Sequence, residues 1–314
     1  MENNHTPQID LTLPDADNGN NTIKGTADVV DVTPVTPVVN VVDNDSVTTG
    51  EDNDVNDIAV SDKRSPIIML FGPRSSGKSM TLVRLARYLR SKGYTISTDF
   101  TFRSDSDYDK KCKEFISNLD TKDALPGTAF TDFLLLKVSR NGRTICQLLE
   151  APGEHYFDQE NINADNFPPY MTEIIRSLPN RKIWVFIAET KWRVKHEIRT
   201  AYINRIKKCM NVLVNRDDRF LILYNKIDQR DDLYKNGRII TAAAGNSMRE
   251  EYDGLADAFK NDNPITSLWR GYKYKFVPFC TGHYSKSGNR LTYTQSDDSY
   301  PRKLWESLLK CIKG

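Results

Sequence analysis

The chain of 314 residues lacks several features that would place it in a common class. No apolar run approaches the roughly 20 residues that a membrane-spanning helix needs, and the first residues lack the basic and apolar regions of a signal peptide. The five cysteines are scattered, without a Cys-x-x-Cys pair or a Cys/His cluster, so the sequence predicts neither a disulfide framework nor a zinc site. Free thiols are typical of a reducing compartment, and we therefore expect a cytoplasmic protein.

The first 62 residues have almost no basic side chains and no large aromatic ones. They contain thirteen Asp and Glu against one Lys, and no Phe, Tyr or Trp. Such a segment cannot bury enough apolar surface to offset the conformational entropy of the chain, so we predict a disordered acidic tail over residues 1–62. The remaining residues carry 43 basic and 29 acidic groups. They are long enough for one α/β domain, which we place over residues 63–314.

A phosphate-binding motif stands between a predicted strand and a predicted helix. Ile67–Phe71 is a short apolar run, and Met80–Arg90 has the apolar spacing of a helix. Between them, Gly-Pro-Arg-Ser-Ser-Gly-Lys-Ser fits G-x-x-x-x-G-K-[ST], the phosphate-binding P-loop. This order presents backbone N–H groups and a helix dipole to a phosphate. We predict that Lys78 reaches the terminal phosphates and that the Ser79 hydroxyl binds Mg²⁺. The predicted phosphate-binding residues are Gly72, Arg74, Ser75, Ser76, Gly77, Lys78, Ser79 and Met80.

A second motif indicates which base the nucleotide carries. Asn-Lys-Ile-Asp, residues 225–228, follows the apolar run Phe220–Tyr224. An aspartate at the end of a strand accepts two parallel hydrogen bonds from guanine, one from N1–H and one from the exocyclic amine. Adenine has no N1–H and would leave a buried acceptor unpaired, which is costly. Asn225, Lys226 and Asp228 therefore predict a ligand that is GTP or GDP.

Strand-like and helical segments alternate along the folded part. Phe133–Val138 and Thr144–Leu149 flank Asn141-Gly142, a hairpin signature, and Lys275–Phe279 is the expected last strand. The pattern predicts an α/β fold, namely a three-layer P-loop NTPase G domain with a mostly parallel sheet and one antiparallel hairpin. Residues 94–125 are predicted as an insertion. The expected helices after the first are Ser106–Leu119, Lys191–Val214, Met248–Phe259 and Pro301–Ile312.

A third element, Glu150-Ala151-Pro152-Gly153, follows the second strand of the hairpin. With these three elements the chain resembles the Ras-like and translation-factor-like P-loop GTPases of the TRAFAC class, with E-x-x-G in place of their D-x-x-G. The resemblance covers residues 65–314. It implies that Glu150 orients the magnesium shell and that Gly153 meets the γ-phosphate. It also implies a switch threonine that ligates Mg²⁺; Thr128 lies 22 residues before Glu150, as in Ras-like members, and Thr131 is the alternative.

The resemblance further implies a group that positions the catalytic water and a loop that contacts the base. Glu154 and His155 are the candidates for the first role. Cys280 and Thr281 follow the last predicted strand, where the base-contacting loop lies in the family. A transition-state arginine would come from Arg74, from Arg103 or from a partner.

As a whole, the resemblance implies a guanine-nucleotide switch. The implied reaction is hydrolysis of GTP to GDP and phosphate with Mg²⁺ as cofactor, and the implied partner is a protein effector or activator. No feature indicates a sequence-specific nucleic-acid partner.

Two alternatives stay open on the sequence. A P-loop alone does not specify the base, so a P-loop ATPase or small-molecule kinase would also carry Gly72–Ser79. A nucleotide-binding interaction module without hydrolysis is the other alternative. It is favoured by Glu150 in the place of Asp and by the lack of Gln after Gly153, since fold and motif do not by themselves establish turnover.

Overall fold

The computed structural model describes residues 59–103, 106–121, 133–164, 166–260, 271–287 and 290–314. The predicted tail lies outside these ranges except for residues 59–62, which contact the domain. Val60 is buried, the Ser61 hydroxyl donates to the Asp99 carboxylate at 2.6 Å, and the Asp62 carbonyl accepts from Gln147 at 2.9 Å. Residues 59–62, which the sequence analysis places in the tail, therefore contact the domain.

A seven-stranded sheet forms the centre of the domain. The strands of the chain are β1 Ile67–Phe71, β2 Thr95–Thr98, β3 Leu134–Arg140, β4 Arg143–Glu150, β5 Lys182–Glu189, β6 Arg219–Asn225, β7 Tyr234–Lys235, β8 Arg238–Ile239, β9 Tyr274–Pro278, β10 Gly282–Ser287 and β11 Arg290–Gln295. The central sheet has the order β2-β3-β4-β1-β5-β6-β9. The strands from β4 to β9 in this order are parallel, whereas β3 is antiparallel to both β4 and β2.

The helices connect these strands. They are α1 Lys78–Ser91, α2 Ser106–Asn118, α3 Gly153–Tyr156, α4 Pro169–Ser177, α5 His196–Val212, α6 Thr241–Glu251 and α7 Ser299–Lys313. Every residue of β1 is buried, as expected for a parallel strand in the middle of a sheet whose faces are covered. The predicted α/β fold with a mostly parallel sheet and an antiparallel hairpin is confirmed. The predicted insertion contributes the edge strand β2 and helix α2.

The first and last helices are joined by a buried arginine. Arg84 of α1 is 3% exposed, and it donates to the Ser296 carbonyl and to the Asp298 carboxylate, each at 2.7 Å. A buried charge is tolerated only when such partners satisfy it. Asp298 directly precedes α7, so this arginine fixes the helix that follows the phosphate motif against the last helix of the chain.

Two helix predictions were wrong at their ends. The predicted helix Lys191–Val214 begins only at His196, because the φ of 50° at Lys191 and the ψ of 149° at Lys195 both lie outside the helical region. The predicted helix Met248–Phe259 is instead α6, which ends at Glu251. Gly254, with a φ of 78°, separates it from a short 3-10 helix over Ala256–Phe259.

Two short hairpins outside the central sheet were not predicted. β7 and β8 pair around Asn236-Gly237, whose φ angles of 52° and 70° suit an Asn-Gly turn. β10 and β11 pair over Gly282–Ser287 and Arg290–Gln295, directly after the last strand of the central sheet. Among the helices in the described part of the chain, none combines the length and the apolar character needed to cross a membrane.

Candidate nucleotide-binding site

The loop between β1 and α1 has the tight backbone that the phosphate motif predicts. Ser75 and Gly77 have φ angles of 62° and 89°. A Cβ atom on Gly77 would lie 2.5 Å from the Asn225 side-chain nitrogen, and one on Gly72 would lie 2.6 Å from the Ser76 hydroxyl. A side chain at either position would displace its neighbour, and Gly77 is also favoured by its left-handed conformation. The Ser76 hydroxyl is buried and has no hydrogen-bond partner among the described residues, which leaves a polar group directed into the loop.

Lys78 is buried at the centre of this loop. Its ammonium group lies 3.0 Å from the carbonyl oxygens of both Gly72 and Pro73, and the residue is 7% exposed. Burial lowers the pKa of Lys78 to about 8, and the nearby carboxylates of Glu150 and Glu154 oppose that shift. A desolvated cation that donates its hydrogen bonds to neutral backbone carbonyls is suited to bind an anion.

Half-buried Ser79 and buried Glu150 form a pair beside this lysine. The Ser79 hydroxyl donates to the Oε1 atom of Glu150, which is 2% exposed. Burial raises the pKa of Glu150, while the hydrogen bond from Ser79 and the charge of Lys78 lower it. The Oε2 atom of Glu150 is buried, and no residue in the described part of the chain forms a hydrogen bond with it. Hydroxyl and carboxylate oxygens are the ligands that Mg²⁺ takes in proteins, so the two residues fit a magnesium ion.

The residues that follow Glu150 approach the same loop. A Cβ atom on Gly153 would lie 2.3 Å from the Arg74 backbone nitrogen and 2.7 Å from the Lys78 Nζ atom, so only glycine fits. Glu154 and Arg74 form an ion pair at 3.5 Å with both side chains largely exposed. The His155 ring stacks on Phe133 with a centroid distance of 5.9 Å. Both candidates for positioning water are thus engaged by other side chains.

The base-recognition motif meets the phosphate loop directly. The Asn225 side-chain nitrogen donates a hydrogen bond to the Ser76 carbonyl at 2.9 Å. Its side-chain oxygen, Oδ1, is buried and has no hydrogen-bond partner within the described ranges. Lys226 has a φ of 58°, and its ammonium group pairs with Glu189 at 2.6 Å. The Ile227 N–H donates to the Phe279 carbonyl at 3.2 Å, which ties the turn after β6 to the end of β9.

Asp228, Cys280 and Thr281 lie together at this end of the site. The Asp228 side chain is 23% exposed, whereas Cys280 and Thr281 are buried. The Thr281 carbonyl accepts from the Tyr293 hydroxyl at 2.8 Å, which connects the loop after β9 to the β10–β11 hairpin.

The structure also supplies residues that the sequence analysis missed. Glu189, at the end of β5, pairs with Lys226, and His283, in β10, lies 3.6 Å from the Asp228 carboxylate. The Asn-Lys-x-Asp pattern carries no signal for either partner, because each comes from a different strand.

Two of the predicted site residues, Thr128 and Thr131, lie outside the described residues. Arg103 is half-buried between β2 and α2, and Met80 is half-buried in the first turn of α1. Among the described residues, the phosphate motif, Glu150, Gly153 and the base motif are brought together.

Comparisons with known proteins yield distant structural likenesses. No protein-family model matches the chain, and no curated protein matches its sequence. Among solved structures, the chain is similar to Methanosarcina barkeri Roco2 RocCORdC bound to GDP, with a TM-score of 0.33 and 12% identity over 79% of this chain. It spans 50% of that Roco2 chain. It is also similar to a structure from work on the GTPase activity of the chloroplast translocon components atToc33 and psToc159. There the TM-score is 0.42 and the identity 10%, over 80% of this chain and 84% of the other. Neither likeness bears on the residues of the site.

Proposed function

We propose that this protein binds guanine nucleotides and hydrolyses GTP to GDP and phosphate, with a change in the loops around the γ-phosphate. The observation that carries the proposal is the 2.9 Å hydrogen bond from the Asn225 side chain to the Ser76 carbonyl. It joins the Asn-Lys-x-Asp motif to the P-loop. The phosphates and the base of one nucleotide would then occupy the two ends of one site. The P-loop would bind the phosphates and the Asn-Lys-x-Asp motif would bind the base.

The phosphate end supplies positive charge and backbone donors. Lys78 would exchange the Gly72 and Pro73 carbonyls for phosphate oxygens, which are far stronger partners for an ammonium group. Ser79 and Glu150 would hold a magnesium ion, which when bound neutralises charge on the phosphates. Preorganised donors of this kind stabilise the charge that spreads over the γ-phosphoryl group as water attacks in line.

The base end supplies the selectivity. The Asp228 carboxylate would accept from N1–H and the exocyclic amine of guanine, and Lys226, held by Glu189, would border the base. The loop of Cys280 and Thr281 is tied to this turn through the bond between Ile227 and Phe279. ATP would leave the Asp228 acceptor without a donor, which is why we assign guanine rather than adenine.

The switch would operate where Gly153 meets the P-loop. The Gly153 backbone lies against Arg74 and Lys78, so a γ-phosphate bound beside Lys78 would contact it directly. Loss of that phosphate would release this loop and the one that contains Thr128. In this proposal the E-x-x-G element is a variant of the D-x-x-G pattern of TRAFAC GTPases. Thr128 is the proposed third magnesium-binding residue. Glu154 and His155 remain the proposed water-positioning groups.

A nucleotide-binding module without turnover is the second candidate. The observation that favours it is the engagement of both water-positioning candidates, Glu154 with Arg74 and His155 with Phe133. Release of phosphate in a single turnover, measured with the protein in excess over GTP, separates the two candidates. Phosphate release above the rate in buffer supports the GTPase, and release at the buffer rate supports the module.

The base assignment is tested by Asp228→Asn, with the exposed Asp231→Asn as a matched control. Displacement of a fluorescent GDP analogue should show tight GTP and GDP binding and exclusion of ATP by the unmodified protein. In Asp228→Asn we expect GTP affinity to fall by roughly 10- to 100-fold, the cost of one unsatisfied buried polar group. Affinity for the xanthine nucleotide should rise, because the new amide offers a donor. Unchanged GTP affinity in Asp228→Asn would show that this residue does not recognise the base.

A further inference from the structure

Three different metal-binding side chains meet at the base end of the site. Asp228 follows β6, Cys280 follows β9, and His283 is the second residue of β10. One ligand atom from each, a carboxylate oxygen, the thiol sulfur and an imidazole nitrogen, lie within 4.8 Å of one another. The Asp228 Oδ2 and His283 Nδ1 atoms are 3.6 Å apart. Cys280 and His283 are three positions apart along the chain, but Asp228 comes from a distant segment, so the sequence alone did not indicate this cluster.

The spacing and the chemistry of the cluster fit one class of ion. Zinc binds sulfur at about 2.3 Å and nitrogen or oxygen at about 2.0–2.2 Å in a tetrahedron, which places neighbouring ligand atoms roughly 3.3–3.7 Å apart. The Asp228–His283 separation of 3.6 Å already has that value. The other ligand atoms, which lie within 4.8 Å of one another, would need to approach by about 1 Å to reach it. A thiol is a poor ligand for Mg²⁺ or Ca²⁺, which prefer oxygen, so the set selects a softer divalent cation.

The backbone holds two of the ligands in place. The Phe279 N–H donates to Tyr224 at 2.8 Å and its carbonyl accepts from Ile227, so the segments that carry Cys280 and Asp228 are joined on both sides. At Gly282 a Cβ atom would lie 2.4 Å from the Thr294 carbonyl, so the start of the hairpin packs closely on its second strand. His283 is the exposed member, with 64% of its side chain accessible, and it can rotate to complete the site.

We propose that Asp228, Cys280 and His283 bind a zinc ion, and that zinc and guanine compete for the Asp228 carboxylate. The first part stands on the cluster itself, and the second rests on the proposed function. The Cys280 thiol donates to the Gly282 carbonyl at 3.7 Å. Zinc binding would form a bond from zinc to the Cys280 sulfur and release the thiol proton to solvent. Zinc with one thiolate, one carboxylate and a neutral imidazole carries no net charge, so the fourth position takes water. The ion would block nucleotide binding from the base end.

The metal site is tested with the full chain, with cobalt as a spectroscopic substitute for zinc. We expect one equivalent of Co²⁺ to produce a thiolate-to-cobalt absorption band that added Zn²⁺ removes. Cys280→Ser should abolish the band, and His283→Ala should weaken zinc affinity by at least about tenfold, since even an outer partner of a ligand contributes that much. Cys311→Ser and His196→Ala are the matched controls and should behave like the unmodified protein. Cobalt binding without the thiolate band, or equal zinc affinity in all variants, overturns the proposal.

Competition is tested by titrating GDP in the presence and absence of zinc. We expect zinc to weaken GDP binding at least tenfold in the unmodified protein. The same zinc concentration should have little effect on GDP binding by His283→Ala, which keeps the Asp228 carboxylate for the base. His283→Ala also controls for zinc that binds the phosphates of GDP, because that would affect both proteins equally. An equal effect in both proteins overturns the competition. Zinc binding by the cluster together with no GDP binding under any condition would instead refute the proposed function and leave the metal site standing.

Discussion

The two ends of the candidate site are built in different ways. At the phosphate end, Lys78 and Glu150 are 7% and 2% exposed, and backbone atoms pack so closely on Gly153 that no side chain fits. At the base end, 23% of the Asp228 side chain and 64% of the His283 side chain are accessible. The first end relies on desolvated charge and a rigid loop, and the second on the direction of hydrogen bonds from side chains of separate strands. Substitutions at the phosphate end should lower the affinity for every nucleotide, whereas substitutions at the base end should change which nucleotide binds.

Lys78→Ala should separate the two ends most strongly. Removal of a buried cation that faces phosphate typically costs about 2–5 kcal/mol, so we expect GDP and GTP affinity to fall by roughly 30-fold to several thousand-fold. The remaining binding should still prefer guanine over adenine, because Asp228 is unchanged. Isothermal titration with both nucleotides measures the effect, and Lys92→Ala, at the exposed end of α1, is the control. A loss of base preference in Lys78→Ala would contradict the division between the ends.

Glu150→Gln should affect only the part of binding that depends on magnesium. The carboxylate that accepts from Ser79 becomes a neutral amide, a much poorer ligand for Mg²⁺. We expect the ratio of GTP affinities with and without Mg²⁺ to fall by about tenfold or more, in line with the loss of one metal ligand. Affinity in chelator should stay within a few-fold of the unmodified protein. A variant that keeps the full magnesium effect would exclude Glu150 from the metal site.

Asn225→Ala should weaken both ends together, because this side chain connects them. The bond to Ser76 is buried, so its loss leaves an unsatisfied carbonyl and costs about 1–2 kcal/mol of the free energy of unfolding. GTP and GDP affinity should fall by a similar factor of roughly ten. Urea unfolding and nucleotide titration measure the two effects, and Asn246→Ala, an exposed position, is the control. If stability falls and affinity does not, the bond is structural only.

Nucleotide affinity should decrease as pH rises above about 8. Burial lowers the pKa of Lys78 to about 8 in the free protein, and phosphate oxygens beside the ammonium group would raise it in the complex. Below this pH the lysine is protonated in both states, so affinity is constant. Above it, binding requires uptake of a proton, and affinity falls toward about tenfold per pH unit. GDP titrations in buffers of different ionisation enthalpy measure the uptake. Lys78→Ala should remove the dependence, and a dependence that persists would assign it to another group.

Local sequence patterns predicted those elements that depend on neighbouring residues. The strand Ile67–Phe71 was predicted with the bounds that the structure has, because a short apolar run before a glycine loop has few other conformations. The hairpin turn was also correct, with Asn141 and Gly142 at φ angles of 51° and 73°. The predicted helix ends were wrong where the backbone leaves the helical region within an otherwise helical sequence pattern, at Lys191 and Lys195 and at Gly254. The β10–β11 hairpin was missed because its strand sequences, Gly-His-Tyr-Ser-Lys-Ser and Arg-Leu-Thr-Tyr-Thr-Gln, are mostly polar.

The amino-acid sequence by itself determined the phosphate loop and the base motif, because each is contiguous and its residue types set its backbone. The tertiary structure alone decided how these pieces meet. It brought Asn225 to Ser76 across 149 positions, buried Glu150 against Ser79, and placed His283 beside Asp228 and Cys280. The physical reason is that the ends of parallel strands converge at one edge of the sheet, in an order set by strand pairing. The spacing of residues along the chain does not indicate the order in which the strands pair.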